Sequence, residues 1–276
     1  MNKKCILGII AGFVFGANMC LAVENIYPIS REMGSGTRGA FTEIFGIQKE
    51  IKGKKIDATT KKAEVTNSTG VMITTVANSK NAIGYISLGS LNNTIKALSI
   101  DGVAPNIANI NNKEYKISRP FNIVIKKSNP LIEDFLGYSI NAKEVIEKSG
   151  YIATKSQKFT SKKPKGKLVI AGSSSIAPLM EKLVESYKSV NPNAIIEIQQ
   201  SDSTTGINVV VEGIADIGMV SRDVKEAELK KGISVRVLAI DGLAVIVNNE
   251  NKLNNISKDS IYKIFTGEIT TWDKVK

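Results

Sequence analysis

Residues 167–183 read KLVIAGSSSIAPLMEKL: an apolar run, a turn of three serines and a helix-forming segment in direct succession. The apolar run predicts a buried strand, and Leu179 and Leu183 after the turn recur at the spacing of an amphipathic helix. The same strand–turn–helix order returns at AIIEIQQSDSTTGINVVV, residues 194–211, and elsewhere along the chain. This repeated order predicts an α/β fold with largely parallel sheets.

The composition is that of an ordinary globular protein. The chain has 276 residues, 42% of them hydrophobic and 23% charged, which leaves room for two domains and excludes a disordered tail, a collagen-like fibre and a polytopic membrane protein. Lysine and arginine total 37 against 26 acidic residues, a formal net charge of +11. Because the lysines are scattered and not interleaved with aromatic residues, we interpret them as a solvated basic surface that favours anions, and we expect no nucleic-acid partner.

The first residues have the pattern of a targeting segment. Residues 1–22, MNKKCILGIIAGFVFGANMCLA, join a basic start to an apolar run and a small residue, Ala22. This pattern predicts a secretory signal peptide that is cleaved after Ala22, and therefore a periplasmic or cell-surface protein. An uncleaved anchor helix and a lipid anchor at Cys20 are the alternatives.

The absence of histidine and the positions of the two cysteines exclude several classes of catalytic and metal site. The sequence has no histidine, which excludes His-ligated metals and every Ser-His or Cys-His catalytic arrangement. Both cysteines, Cys5 and Cys20, lie in the predicted signal peptide, so the remaining chain has no thiol for a disulfide or a metal. We therefore expect no metal site.

Several segments between the clear elements have weaker patterns. Residues 48–66 are polar and lysine-rich, which predicts a loop or a mobile helix. Pro120 interrupts the extended segment 115–127, which we interpret as an edge strand or a crossover and not as a central strand. Residues 131–150 are predicted as one helix. Residues 154–166 are basic and polar, with a proline and a glycine, which predicts a linker.

Three hydroxyl-rich turns stand where a helix is about to begin. They are GSGT at 34–37, SSS at 173–175 and SDSTTG at 201–206. A helix N-terminus offers unpaired N–H groups and about half a positive charge, and hydroxyls and glycine add donors and close access, so that such turns bind oxyanions. Arg31 and Arg38 flank the first turn with forked donors that suit a tetrahedral anion. Helix capping is the simpler interpretation of each turn alone, and the sequence has no nucleotide P-loop motif.

Four segments together resemble one protein family: REMGSGTRGAF at 31–41, GSSSIAPLMEKL at 172–183, ADIGMVSRD at 215–223, and DGLAVIVN with IFTGEITTW at 241–272. They resemble the periplasmic phosphate-binding proteins of ABC transporters, the PstS family. The resemblance implies a type II periplasmic-binding-protein fold, in which two α/β lobes joined by a two-strand hinge close on phosphate. It further implies delivery to an ABC permease in the membrane, with no cofactor and no catalytic residue.

The order of the segments differs from that of the family, in which the part resembling 167–276 comes before the part resembling 25–153. The resemblance therefore implies a circular permutation, with 154–166 joining the old ends. It implies one discontinuous lobe, 23–117 plus 243–276, which carries the GSGT turn. The continuous lobe, 118–242, carries the other two turns. We expect a monomer, with a dimer that exchanges halves as the alternative.

The resemblance also assigns phosphate-binding residues individually. In the lobe of the GSGT turn they are Arg31, Ser35, Gly36 and Thr37; in the opposite lobe they are Ser174, Ser175 and Ser203. Ser221 is assigned too, but it stands where many family members carry an aspartate that accepts the proton of hydrogen phosphate. Arg222, directly after it, is a further candidate. Without that aspartate, discrimination against sulfate is less certain than affinity for an oxyanion.

Three other functions stay open at this point. The first is a binder of another oxyanion, such as sulfate or molybdate, which Ser221 permits. The second is a hydrolase of phosphate esters with Ser35 or Ser174 as nucleophile, which lacks a histidine base. The third is a sensor or adhesin that keeps the fold without transport.

Overall fold

The computed structural model describes residues 24–51 and 54–275. The predicted signal peptide, residues 1–22, lies outside these ranges. Within them, no helix is both long enough and apolar enough to cross a membrane.

Helices and strands alternate along the described chain. The strands are β1 (Tyr27–Arg31), β2 (Gln48–Ile51), β3 (Lys54–Asp57), β4 (Glu64–Thr66), β5 (Ala82–Ser87), β6 (Ile95–Ala97), β7 (Ser99–Ile100), β8 (Ser118–Ile125), β9 (Ile152–Ala153), β10 (Gly166–Ser173), β11 (Ala194–Ser201), β12 (Ile217–Val220), β13 (Ser234–Asn248) and β14 (Asn255–Ile256). The helices are α1 (Gly36–Ile44), α2 (Thr69–Ala77), α3 (Ile107–Asn111), α4 (Pro130–Asn141), α5 (Lys143–Lys148), α6 (Ala177–Val190), α7 (Ser203–Glu212), α8 (Glu226–Leu229) and α9 (Lys258–Thr266).

One sheet organises the molecule. Eight of its strands run in the order β11-β10-β12-β8-β13-β5-β1-β4, and β6 and β9 pair with β13 beside this path. The pairs near both ends are parallel, β10 with β11 and β12, and β1 with β4 and β5. The middle is antiparallel, because β8 pairs so with β12 and β13, and β13 with β5. The sheet is therefore mixed, with parallel pairs confined to its two sides.

The buried apolar residues divide into two halves at the middle of this sheet. One half of the core draws its residues from between 121 and 239, and the other from 26–117 and 243–265. We call these the continuous half and the discontinuous half. The chain passes between them in β8 and β13, where Arg119 lies opposite Asp241. Movement of the halves as hinged lobes stays a prediction.

The apolar segments 233–240 and 243–247 form a single strand of 15 residues, β13, and not two separate strands. The polar Asp241 lies inside this strand, where its buried partner on β8, Arg119, satisfies the carboxylate. Strand β8 is central and not an edge strand, despite Pro120. Its ladder with β12 reaches only to Asn122, so Pro120 faces a partner strand on one side alone.

Two further segments differ from their predictions. Residues 48–51 and 54–57 pair as the antiparallel strands β2 and β3, with Lys49 opposite Ile56 and Gln48 opposite Asp57, and 64–66 form the short strand β4, where a loop or a mobile helix was predicted. The predicted helix over 131–150 is two helices, α4 and α5, separated at Ala142.

The predicted linker is irregular up to β10, yet it is held in place. The carboxylate of Asp134 accepts hydrogen bonds from the Ser161 hydroxyl at 2.6 Å and the Lys162 amide at 2.8 Å. Near the two ends of the described chain, Asn25 forms an antiparallel bridge with Thr271, so these ends lie side by side.

Candidate functional site

The three hydroxyl-rich turns converge between the two halves. The strands β10 and β12 are parallel neighbours, so their carboxyl ends bring Ser173 and Ser221 together, and the Ser173 hydroxyl donates to Ser221 Oγ at 2.8 Å. Ser203 begins α7, and its Oγ lies 3.3 Å from Ser221 Oγ and accepts from the Ser221 amide at 3.0 Å. The continuous half therefore presents a compact set of serine hydroxyls.

The discontinuous half meets this set directly. The Thr37 and Ser175 hydroxyl oxygens lie 2.7 Å apart, and the Thr69 hydroxyl lies 3.0 Å from the same serine. The Thr69 amide also donates to Ser174 Oγ at 3.2 Å. All the side chains of this hydroxyl cluster are buried: Thr37, Thr69, Ser173, Ser174, Ser175, Ser203 and Ser221.

Arg31 provides the positive charge at the cluster. Its Nη2 atom donates to Ser174 Oγ at 3.2 Å and its Nη1 atom to Thr69 Oγ1 at 3.3 Å. The guanidinium is only 2% exposed and is held by the Glu32 carboxylate, with hydrogen bonds of 2.7 and 2.6 Å from Nε and Nη2. This bidentate pair fixes the orientation of the arginine and leaves its other edge toward the hydroxyls.

The GSGT turn permits the close approach of the two halves. Ser35 caps α1 by accepting from the Arg38 amide at 3.3 Å, so the capping interpretation is correct for this side chain. A Cβ atom on Gly36 would lie 2.3 Å from Ser203 Oγ and 2.7 Å from Ser221 Oγ. Only a glycine allows the start of α1 to reach the serines of the opposite half.

Arg38 and Arg222 are turned away from the hydroxyl cluster. Arg222 forms two hydrogen bonds of 2.8 Å with the Glu228 carboxylate, and Arg38 donates to Asp57 at 2.7 Å and to the Arg31 carbonyl at 2.6 Å. Both line a cavity of about 550 Å³ beside the cluster. Burial alone would raise the pKa of Glu228, but hydrogen bonds from Arg222 and the Lys225 amide outweigh it and hold the pKa below its usual value.

A buried ion pair connects the cluster to the crossing of β8 and β13. Arg119 donates from Nε and Nη2 to one oxygen of Asp241, at 3.1 and 3.0 Å, and from Nη1 to the Ser221 carbonyl at 2.9 Å. The other Asp241 oxygen accepts from the Ser87 hydroxyl at 2.8 Å. Burial raises the pKa of Asp241 to about 6, although the charge of Arg119 opposes this.

The structure thus brings together Arg31, Gly36, Thr37, Ser174, Ser175, Ser203 and Ser221. It places Ser35 in a cap and Arg222 in an ion pair at the rim. Thr69 and Glu32 belong to the site but were not predicted. Ser68 caps α2 and accounts for the local sequence around Thr69, and the acidic residue next to Arg31 is the one sign in the sequence of a charge partner.

The groups of the cluster suit the binding of an anion. Each hydroxyl both donates and accepts, a guanidinium adds a fixed charge, and the N-terminus of α1 adds partial positive charge. Across 24–51 and 54–275, no three side chains of metal-binding type lie close enough together to hold an ion. The arrangement can surround a small oxyanion that enters between the two halves.

Comparison with known proteins agrees with this geometry. A family model described as a PBP superfamily domain matches residues 21–143 and 158–275. Phosphate-binding protein PstS 2 of Streptococcus agalactiae serotype V is 51% identical over 250 residues, which are 88% of this chain and 85% of the relative. Phosphate-binding protein PstS of Bacillus subtilis is 40% identical over 118 residues, only 41% of this chain and 38% of the relative.

A solved structure matches over a similar extent. The crystal structure of a phosphate ABC transporter, phosphate-binding protein, from Streptococcus pneumoniae TIGR4 covers 91% of this chain, and this chain covers all of it. The sequence identity is 46% and the TM-score is 0.71. The fold, the site and these relatives lead to one assignment: the chain belongs to the PstS family of phosphate-binding proteins, within the PBP superfamily.

Proposed function

We propose that this protein captures inorganic phosphate between its two halves and delivers it to an ABC permease in the membrane. The observation that carries the proposal is the meeting of Thr37, Thr69 and Arg31 with Ser174 and Ser175 from the opposite half. The names of the related proteins, which are called phosphate-binding, support it.

The energetics of a buried anion favour this site. Taking a charged oxyanion out of water is costly unless each oxygen gains hydrogen bonds and the charge is compensated. In the proposed bound state, the phosphate oxygens replace the direct bonds between hydroxyls, such as that of Thr37 with Ser175. Arg31 compensates the charge. We propose Ser35, Gly36, Ser203 and Ser221 as further contacts, with Ser35 contributing through its backbone.

The selectivity of the site depends on Ser221. Its hydroxyl is fully buried between Ser173 and Ser203, at the position where many family members carry an aspartate. A hydroxyl, unlike that carboxylate, does not repel a fully ionised anion. The nearby carboxylates of Glu32 and Asp202 are already occupied, by Arg31 and by the amides of α7. Sulfate is therefore the second candidate ligand.

The order of the chain and its location complete the proposal. When two proteins carry the same two segments in opposite order, an alignment that keeps the sequence order can cover only one segment. This accounts for the short match to the Bacillus subtilis protein and supports a circular permutation. The relative from Streptococcus agalactiae, which matches along most of both chains, would share the permuted order. We place the protein outside the cytoplasm, with residues 1–22 as the signal peptide.

Calorimetric titration of the phosphate-free protein with phosphate, and then with sulfate, tests the function. Tight binding of one phosphate is the expected result, and the affinity for sulfate then shows whether a site with Ser221 still discriminates between the two anions. Equal affinity for the two anions would make the protein a general oxyanion binder. Binding of neither would contradict the proposal and leave the fold to a sensor or an adhesin.

A further inference from the structure

Outside the hydroxyl cluster, a second set of bonds joins the two halves. Thr204, in the first turn of α7, donates twice to the Gly34 carbonyl, from its amide at 3.2 Å and from its hydroxyl at 3.1 Å. Thr204 belongs to the continuous half and Gly34 to the discontinuous half. An anion that inserts among the serines would leave these two bonds unchanged, because neither group belongs to the cluster.

The direction of the Thr204 hydroxyl is fixed from behind. Arg222 Nη2 donates to Thr204 Oγ1 at 3.2 Å, so the hydroxyl accepts there and its single proton is left for the Gly34 carbonyl. Arg222 is in turn held by its two hydrogen bonds to Glu228. Glu228, Arg222 and Thr204 form a relay, that is, a chain of hydrogen bonds that ends at the Gly34 carbonyl of the opposite half.

Gly34 fits closely against the other side of this contact. A Cβ atom there would lie 2.2 Å from Asp202 Oδ1. Asp202 cannot easily yield, because its carboxylate caps α7 through the amides of Thr204 and Thr205 and accepts from the Thr205 hydroxyl. The Gly34 carbonyl is thereby kept within hydrogen-bond distance of Thr204.

We propose that Thr204, oriented by Arg222 and Glu228, is a positioning residue that holds the two halves together and slows the release of the anion. Arg222 then acts through Thr204 and not on the ligand. The effect on release rests on the proposed function, whereas the effect on closure of the protein does not.

We call the contact of Thr204 with the Gly34 carbonyl the latch. The matched pair Thr204→Val and Thr205→Val tests it. Both remove one hydroxyl from the first turn of α7, but the Thr205 hydroxyl bonds Asp202, which lies in its own half. In stopped-flow measurements with phosphate, we expect Thr204→Val to dissociate about 3- to 10-fold faster than wild type, the effect of one hydrogen bond. A dissociation rate equal to that of Thr205→Val would overturn the proposal.

The role of Arg222 is tested by a double-mutant cycle. If Arg222 acts through Thr204, Arg222→Met accelerates release in the wild type but adds little in the Thr204→Val background. An equal and independent loss of affinity in both backgrounds would mean that Arg222 contacts the anion itself, and would overturn its place in the relay.

Small-angle X-ray scattering of the anion-free proteins separates the latch from the ligand. We expect a larger radius of gyration for Thr204→Val than for Thr205→Val, because the loss of a bond between the halves favours the open form. Equal radii would contradict a latch that acts without ligand. Should the wild type bind no phosphate, the proposed function fails but this comparison still decides the latch.

Discussion

The hydroxyl oxygens of Thr37 and Ser175 lie 2.7 Å apart, although the residues are 138 positions apart in the chain. Each is the last residue of a turn at the start of a helix, and the two turns lie in different halves of the molecule. Two hydroxyls that each donate and accept can exchange this bond for bonds to one anion between them. This contact therefore marks where the two halves would share a ligand, and the predictions below concern the groups around it.

Replacement of Arg31 by methionine should weaken phosphate binding about 10- to 150-fold, the value of hydrogen bonds to a charged group. The reason is that the guanidinium is buried at Ser174 and Thr69, where water cannot compensate the anion. Calorimetric titration measures the change. Arg236→Met is the control, since that arginine is half-exposed and pairs with Glu133 at the surface. Equal affinities for the two variants would remove Arg31 from the site.

Gly36→Ala should impair binding without impairing folding. The added methyl group meets Ser203 and Ser221 across the gap between the halves, and overpacking of this kind costs about 1 to 3 kcal/mol. We expect phosphate affinity to fall about 5- to 150-fold by the same conversion. Gly70→Ala, also in the first turn of a helix but with open space around it, is the control and should bind normally. Normal binding by Gly36→Ala would show that the halves do not approach so closely.

Asp241 should titrate near pH 6, well above Asp134, whose pKa the hydrogen bonds from Ser161 and Tyr187 hold low against the opposing effect of burial. Between its ordinary value of 3.8 and about 6, Asp241 is protonated in the folded state and ionised in the unfolded state. Its contribution to the free energy of unfolding therefore falls as the pH rises through this window.

For Asp134 the sign is reversed: its contribution is present above the unfolded pKa and is lost as the pH falls through the lower, folded value. Carbon-13 NMR of the side-chain carboxyl groups reports both titrations in one protein. A midpoint for Asp241 below that of Asp134 would mean that Arg119 outweighs burial, contrary to our expectation.

The two segments of the chain should be exchangeable in order. A protein that runs from Lys165 to Val275 and continues through a short glycine-serine linker into Glu24 to Ala153 should fold and bind phosphate within a few-fold of the wild type. The bridge between Asn25 and Thr271 shows that the joined ends are neighbours. Circular dichroism and titration provide the measurements.

An exchange opened inside β13 is the matched control, because it cuts the strand that joins the halves and should not fold. If the first rearranged protein failed as completely as this control, the proposed permutation would lose its structural basis.

The sequence predicted site residues correctly where a local pattern alone identifies a turn at the start of a helix. The serine turn after β10 and the GSGT turn before α1 each combine an apolar strand, small residues and an amphipathic helix, and their side chains do meet in the structure. Thr69 escaped prediction because its neighbour Ser68 explains the start of α2 completely as a cap. Its second role depends on a contact with Ser174, which no local pattern encodes.

The other errors have the same physical origin. Residues 48–57 alternate charged and apolar residues too weakly to indicate a hairpin, and the pairing of Lys49 with Ile56 is a property of the folded chain. Asp241 is tolerated inside the continuous strand β13 because Arg119, which is 122 positions away in the chain, compensates its charge. Local periodicity predicts elements, whereas buried polar partners from distant segments decide which interruptions a strand tolerates.

A crystal structure of the protein grown with phosphate would test the central claim most directly. We expect one phosphate between the two halves, with its oxygens within hydrogen-bond distance of Thr37, Ser175 and Arg31, and the Thr37–Ser175 bond replaced by bonds to the anion. A phosphate bound elsewhere, with these two hydroxyls still in direct contact, would contradict the account.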